Sequence, residues 1–89
     1  MITEVKIMAH KLLVVKIGAR SNQATKVQEV LTKHGCSIRT RLGLHETSPN
    51  YCAEDGLVIL ELADNQEDIQ ALRNDLDKLT GVTTQYIEL

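Results

Sequence analysis

Hydrophobic and polar positions along the chain follow two different periods, and their order predicts the secondary structure. Two runs are apolar on both alternating faces, Leu12 to Ile17 and Leu57 to Leu62, as is typical of central strands covered on both sides. The run from Ile38 to Leu44 alternates instead, and the run from Val82 to Ile87 closes the chain as a further strand. The pattern therefore predicts four strands.

The alternating run predicts an edge strand whose two faces differ. Arg39 and Arg41 point to one face, where charges discourage unwanted pairing between sheets. The residues on the other face are Ile38, Thr40, Leu42 and Leu44.

Between the strands, apolar residues recur at helical spacing in two segments. The first runs from Asn22 to His34, behind Ser21 or Asn22 as N-cap. The second runs from Gln66 to Thr80, behind Asn65 as N-cap. Each is followed by a glycine, Gly35 and Gly81, which predicts a left-handed residue at both helix ends.

The resulting order, β-α-β-β-α-β, predicts an α+β ferredoxin-like sandwich: a four-stranded antiparallel sheet with two helices on one face. Residues 11–89 form a single domain in this interpretation, and residues 1–10 form an N-terminal extension. The extension holds a second methionine, Met8, at which translation could also start. The polar segment from His45 to Asp55 is predicted as a long loop.

Composition limits the partners of the chain. Ten basic and twelve acidic residues in 89 give a formal charge of −2, which attracts neither nucleic acid nor an anionic membrane. No apolar run reaches the length of about 20 residues that spans a bilayer, and the N-terminus lacks a signal-peptide core. We therefore expect a cytoplasmic protein without a cofactor, whose Cys36 and Cys52 remain thiols.

Two helices can cover only one face of the predicted sheet, so apolar residues on the other face need a partner. Leu12, Val14, Leu57 and Ile59 are predicted to lie on that second face. A second copy of the chain is the simplest cover, which predicts a homo-oligomer. The alternative is that the N-terminal segment folds over these residues.

Two groups of residues could bind ligands. The turn from the first strand into the first helix offers free backbone N–H groups and a guanidinium to a small anion, with Gly18, Ala19, Arg20 and Asn22 as candidates. A plain turn with a helix cap explains the same residues. His34, His45 and Cys52 carry ligand atoms suited to a divalent metal, but their spacing matches no tight motif, and a helix-end histidine has structural explanations.

The segments 38–44, 56–62 and 76–82 resemble the iron-only hydrogenase system regulators, small ACT-like proteins similar to the C-terminal domain of the nickel-responsive repressor. The resemblance implies an oligomeric regulatory or sensor domain linked to transcriptional regulation. This chain differs from the repressor at the metal ligands. Arg39 and Arg41 stand where the repressor has metal-binding histidines, and Cys52 lies before the third strand rather than at its start. The DNA-binding arm is missing too, so regulation would run through a protein partner.

These observations favour a regulatory domain that oligomerises and binds a small anionic metabolite or a regulatory protein. One alternative is a metal-responsive regulator of the nickel or zinc type that uses His34, His45 and Cys52. Another is a small ferredoxin-like enzyme. Because no nucleophile and base stand at a recognisable spacing, we expect no catalytic activity.

Overall fold

The computed structural model describes residues 10–18, 23–44, 47–48, 51–52 and 56–89, with the backbone alone at 44, 47–48 and 51–52. Ala19, Arg20, Asn22 and His45 lie outside the described residues, as does the extension up to residue 9. The secondary-structure elements in chain order are β1 Lys11–Ile17, α1 Ala24–Lys33, β2 Ile38–Leu44, β3 Thr47–Ser48, β4 Tyr51–Cys52, β5 Gly56–Leu62, α2 Gln66–Asp77 and β6 Val82–Glu88.

The four long strands form one antiparallel sheet in the order β2-β5-β1-β6. The predicted fold class is therefore confirmed, with β1 and β5 in the centre and β2 at an edge. Within the predicted loop, β3 and β4 pair with each other as a short separate hairpin. In the described part of the chain, no helix has the length and apolar character needed to cross a bilayer.

Both helices pack against the same face of the sheet. Alternate residues of the central strands point toward the helices, which removes almost all of their surface from water. The core is aliphatic and consists of Leu13, Val15, Val27, Leu31, Leu60, Leu62, Ile69, Leu72, Leu76 and Val82. Since it contains no large aromatic side chain, its stability rests on close packing of branched aliphatic groups.

An irregularity in β2 changes the predicted alternation of that strand. Its register against β5 shifts between Ile38 and Thr40. Ile38 consequently packs against the core on the helix side, whereas Thr40 and Leu42 point to the opposite face. The prediction that Ile38 and Leu42 share a face was wrong because the shift inserts one extra residue between them.

The helix ends confirm half of the predicted caps. Asn65 caps α2, and its side-chain oxygen accepts a hydrogen bond from the Asp68 N–H at 3.1 Å. Gly81 is left-handed with φ 81°, as predicted. Gly35 is not left-handed and instead opens a 3₁₀ turn, Gly35–Ser37. The N-cap of α1 falls on Gln23, later than predicted, because α1 begins only at Ala24.

Candidate functional site

The face of the sheet opposite the helices carries a group of aliphatic side chains. Because side chains alternate along a strand, the neighbours of the buried core residues point to this face. We call it the open face, and its described members are Leu12, Val14 and Lys16 of β1, Leu57, Ile59 and Glu61 of β5, Thr40 and Leu42 of β2, and Thr83, Gln85 and Ile87 of β6.

Aliphatic residues occupy the middle of the open face. Val14 lies directly opposite Ile59, which in turn lies opposite Leu42 on the edge strand. Leu42 is 53% exposed, whereas six other leucines of the chain are buried in the core. The four residues predicted for this face from the sequence, Leu12, Val14, Leu57 and Ile59, are half-buried by one another and by their neighbours.

A backbone hydrogen bond holds Gly18, the residue that follows β1. The Gly18 N–H donates to the Gly81 carbonyl at 2.8 Å, which joins the end of β1 to the turn after α2. A Cβ at Gly18 would lie 3.1 Å from the same oxygen, so a side chain here would press on the Gly81 backbone. Gly18 therefore has a packing reason to be glycine, independent of any ligand.

A buried histidine links the two helices. His34, which follows α1, places Nδ1 2.8 Å from Asp68 Oδ1 and Nε2 2.8 Å from Asp75 Oδ2. Both carboxylates belong to α2. Because an ionised carboxylate can only accept a hydrogen bond, each ring nitrogen is placed to donate to one carboxylate. The His34 side chain is only 4% exposed, so these bonds are shielded from water.

The two carboxylates also receive hydrogen bonds from neighbouring residues. The Ser37 hydroxyl and then the His34 ring lower the pKa of Asp68. The His34 ring and then the Lys33 ammonium, 3.2 Å away, lower the pKa of Asp75. Both acids are consequently ionised at neutral pH.

A surface depression of about 430 Å³ lies beside His34 and is lined by Lys33, His34, Cys36, Ser37, Asn65, Glu67 and Asp68. Cys36 is an exposed, free thiol. Sequence reasoning placed His34 near the helix end but not its two partners, because they lie 34 and 41 residues away.

The three candidate metal ligands are not shown together. Both ring nitrogens of His34 are bonded to carboxylates, which leaves no ring lone pair for a metal in this arrangement. His45 lies outside the described residues, and only the backbone of Cys52 is described, in β4. Among the described residues, no group of three potential ligand side chains could hold a metal ion.

Solved structures share this fold. An uncharacterized protein from Thermotoga maritima superposes with a TM-score of 0.76 at 21% identity, over 90% of this chain and 95% of that one. The ACT domain from GTP pyrophosphokinase of Chlorobium tepidum gives 0.62 at 20% identity, over 89% and 96%. CPII, a nitrogen regulatory PII-like protein from Thiomonas intermedia bound to ADP, AMP and bicarbonate, gives 0.58 at 11% identity, over 91% and 92%.

Neither the family models nor the curated proteins include a match to this sequence. At these identities the structural likeness establishes the fold alone. The chain thus has the ferredoxin-type fold of ACT and PII-like proteins.

Proposed function

We propose that this chain is a regulatory domain that associates with itself through the open face and binds a small anionic metabolite. The single observation that carries the proposal is the aliphatic centre of the open face, formed by Leu42, Ile59 and Val14 on three adjacent strands. A second copy would remove this apolar surface from water, which is the dominant favourable term in protein association.

Two observations support the proposed class of ligand: the turn between β1 and α1, and the ligands of one structurally similar protein. The described part of the turn ends at Gly18, and α1 begins at Ala24, so the backbone N–H groups of its first turn have no helical acceptor. We propose Gly18, Ala19, Arg20 and Asn22 as the residues that bind the anion. CPII contains ADP, AMP and bicarbonate, and these three compounds are the first ligands to test on this chain.

Regulation rather than catalysis is the proposed role. The buried polar group around His34 has its hydrogen-bonding capacity directed at neighbouring side chains of the protein. We propose that the ligand-bound domain acts on a regulatory protein partner, since the net charge of −2 offers nucleic acid no attraction. The link to the iron-only hydrogenase system remains a hypothesis, which hydrogenase maturation genes beside this one would support.

A thermal-shift screen tests the ligand. ADP, AMP, bicarbonate, amino acids and divalent cations are added separately, because a ligand at 100 times its dissociation constant stabilises the protein by about 2.7 kcal/mol. We expect an anionic compound to raise the melting temperature of wild type and Arg39→Ala, the matched arginine on β2, but not of Arg20→Ala. A shift from divalent cations alone would contradict the proposal and favour a metal-responsive regulator.

A further inference from the structure

The open face carries one positive and one negative charge on its central strands, at opposite ends. Of the six open-face positions on β1 and β5, only Lys16 and Glu61 are charged. Lys16 lies two residues beyond Val14 on β1, and Glu61 lies two residues beyond Ile59 on β5. Because β1 and β5 are antiparallel and Val14 opposes Ile59, the two charges flank the apolar centre at diagonal corners.

The environments of the two charges differ. Lys16 is exposed and belongs to no ion pair among the described residues. Glu61 accepts a hydrogen bond from His10 Nδ1 at 2.6 Å, which lowers the pKa of Glu61 against the effect of burial, with Arg39 adding to the lowering. Glu61 is therefore ionised at neutral pH and still has one carboxylate oxygen to offer.

This arrangement is complementary to itself. When two copies stack face to face about a twofold axis that exchanges the two ends of the open face, each Lys16 lies over Glu61 of the second copy. When the axis keeps like ends together, Lys16 approaches Lys16 and Glu61 approaches Glu61. Like charges brought together at an interface oppose association, so the first arrangement is favoured.

We propose that two copies of the chain pack open face to open face with their ends exchanged, so that Lys16 of each faces Glu61 of the other across the Val14 and Ile59 centre. This inference rests on the proposed self-association and adds its orientation. The apolar centre supplies the burial, and the two charge pairs select one orientation.

A charge-swap experiment tests the orientation. Lys16→Glu and Glu61→Lys each place two pairs of like charges in the dimer, and we expect each to raise the dissociation constant, measured by analytical ultracentrifugation, about tenfold or more. An equimolar mixture of the two variants recovers affinity close to wild type, because both pairs in the mixed dimer again join opposite charges. Lys26→Glu, the same change on exposed α1, leaves the dissociation constant unaltered.

The outcomes separate this inference from the proposed function. Circular dichroism first confirms that each variant is folded. If wild type dimerises and Val14→Glu abolishes dimerisation, but the mixture associates no more tightly than either single variant, the orientation is wrong and the proposed self-association stands. If wild type is monomeric throughout, both are wrong. Weaker association of each single variant than of wild type, with recovery to wild-type affinity in the mixture, supports the exchanged orientation. If like ends lay together, each single variant would keep two like pairs, as in wild type, and the mixture would associate more tightly than wild type.

Discussion

His34 Nε2 lies 2.8 Å from Asp75 Oδ2, and this contact joins the end of α1 to the last turn of α2 across 41 residues of sequence. Together with the Asp68 contact at the other ring nitrogen, it gives α2 two polar attachments to α1 beside the aliphatic core. The cluster thus adds two polar contacts between the end of α1 and α2 to the apolar packing of the core.

Replacing His34 by alanine should destabilise the domain by about 2 to 3 kcal/mol, since hydrogen bonds to charged groups contribute roughly 1.5–3 kcal/mol each and the freed carboxylates regain some hydration. The free energy of unfolding from urea titration measures this loss. Thr32→Ala, at an exposed position near the end of α1, is the control and should change stability by less than about 0.5 kcal/mol. An equally small effect of His34→Ala would show that the cluster contributes nothing.

Acid should weaken the domain through the same carboxylates. The pKa values of Asp68 and Asp75 are lowered in the folded protein, so their contribution is present above the unfolded value of about 3.9. It is lost as the pH falls through the folded pKa values. In Asp75→Asn, the free energy of unfolding should therefore decrease less steeply than in wild type as the pH is lowered below about 5. Asp77→Asn, an exposed acid on the same helix, should retain the wild-type slope, and parallel slopes for all three proteins would contradict this assignment.

The cap of α2 offers a separate test. Asn65→Ala removes the acceptor of the Asp68 N–H and should lower the free energy of unfolding by about 1 kcal/mol. Asn65→Ser, which keeps an acceptor oxygen, should remain close to wild type. Equal stabilities of the alanine and serine variants in urea unfolding would mean that the capping hydrogen bond contributes nothing to the free energy of unfolding.

Alanine substitutions at two glycines should have different effects, because the backbone approaches one of them closely and leaves open space around the other. Gly18→Ala brings a methyl group against the Gly81 carbonyl, 3.1 Å away, and should cost about 1 to 3 kcal/mol by overpacking. Gly43→Ala meets nothing within 4 Å and should be neutral or slightly stabilising, since glycine is disfavoured in strand interiors. Chemical denaturation measures the free energy of unfolding of both variants. A Gly18→Ala variant as stable as Gly43→Ala, or more stable, would contradict this prediction.

The sheet was predictable from the sequence because its signals are local. Alternation and apolar runs placed Val14 and Ile59 on the face opposite the helices, and Asn65 was recognised as a cap from its position before an amphipathic segment. The register shift in β2 left no such signal, since the letters from Ile38 to Leu44 alternate whether or not the strand bulges. Only the pairing with β5 shows that Ile38 and Leu42 point to opposite faces.

The helix-joining cluster could not be predicted for a different reason. A histidine at one helix end and two aspartates seven residues apart in another helix are ordinary surface features in a sequence. Their meeting depends on the rotation and separation of α1 and α2, which the core residues determine. The ligand candidates Arg20 and Asn22 remain predictions, because they lie outside the described residues.

The central claim is that the open face joins two copies of the chain, and sedimentation velocity over a range of micromolar concentrations tests it most directly. We predict that the wild type sediments as a dimer or larger oligomer and that Ile59→Glu sediments as a folded monomer, because a charge in the apolar centre would be desolvated at a cost of several kcal/mol. Thr25→Glu, on the exposed side of α1, should sediment like wild type. A wild-type monomer at every concentration would contradict the account.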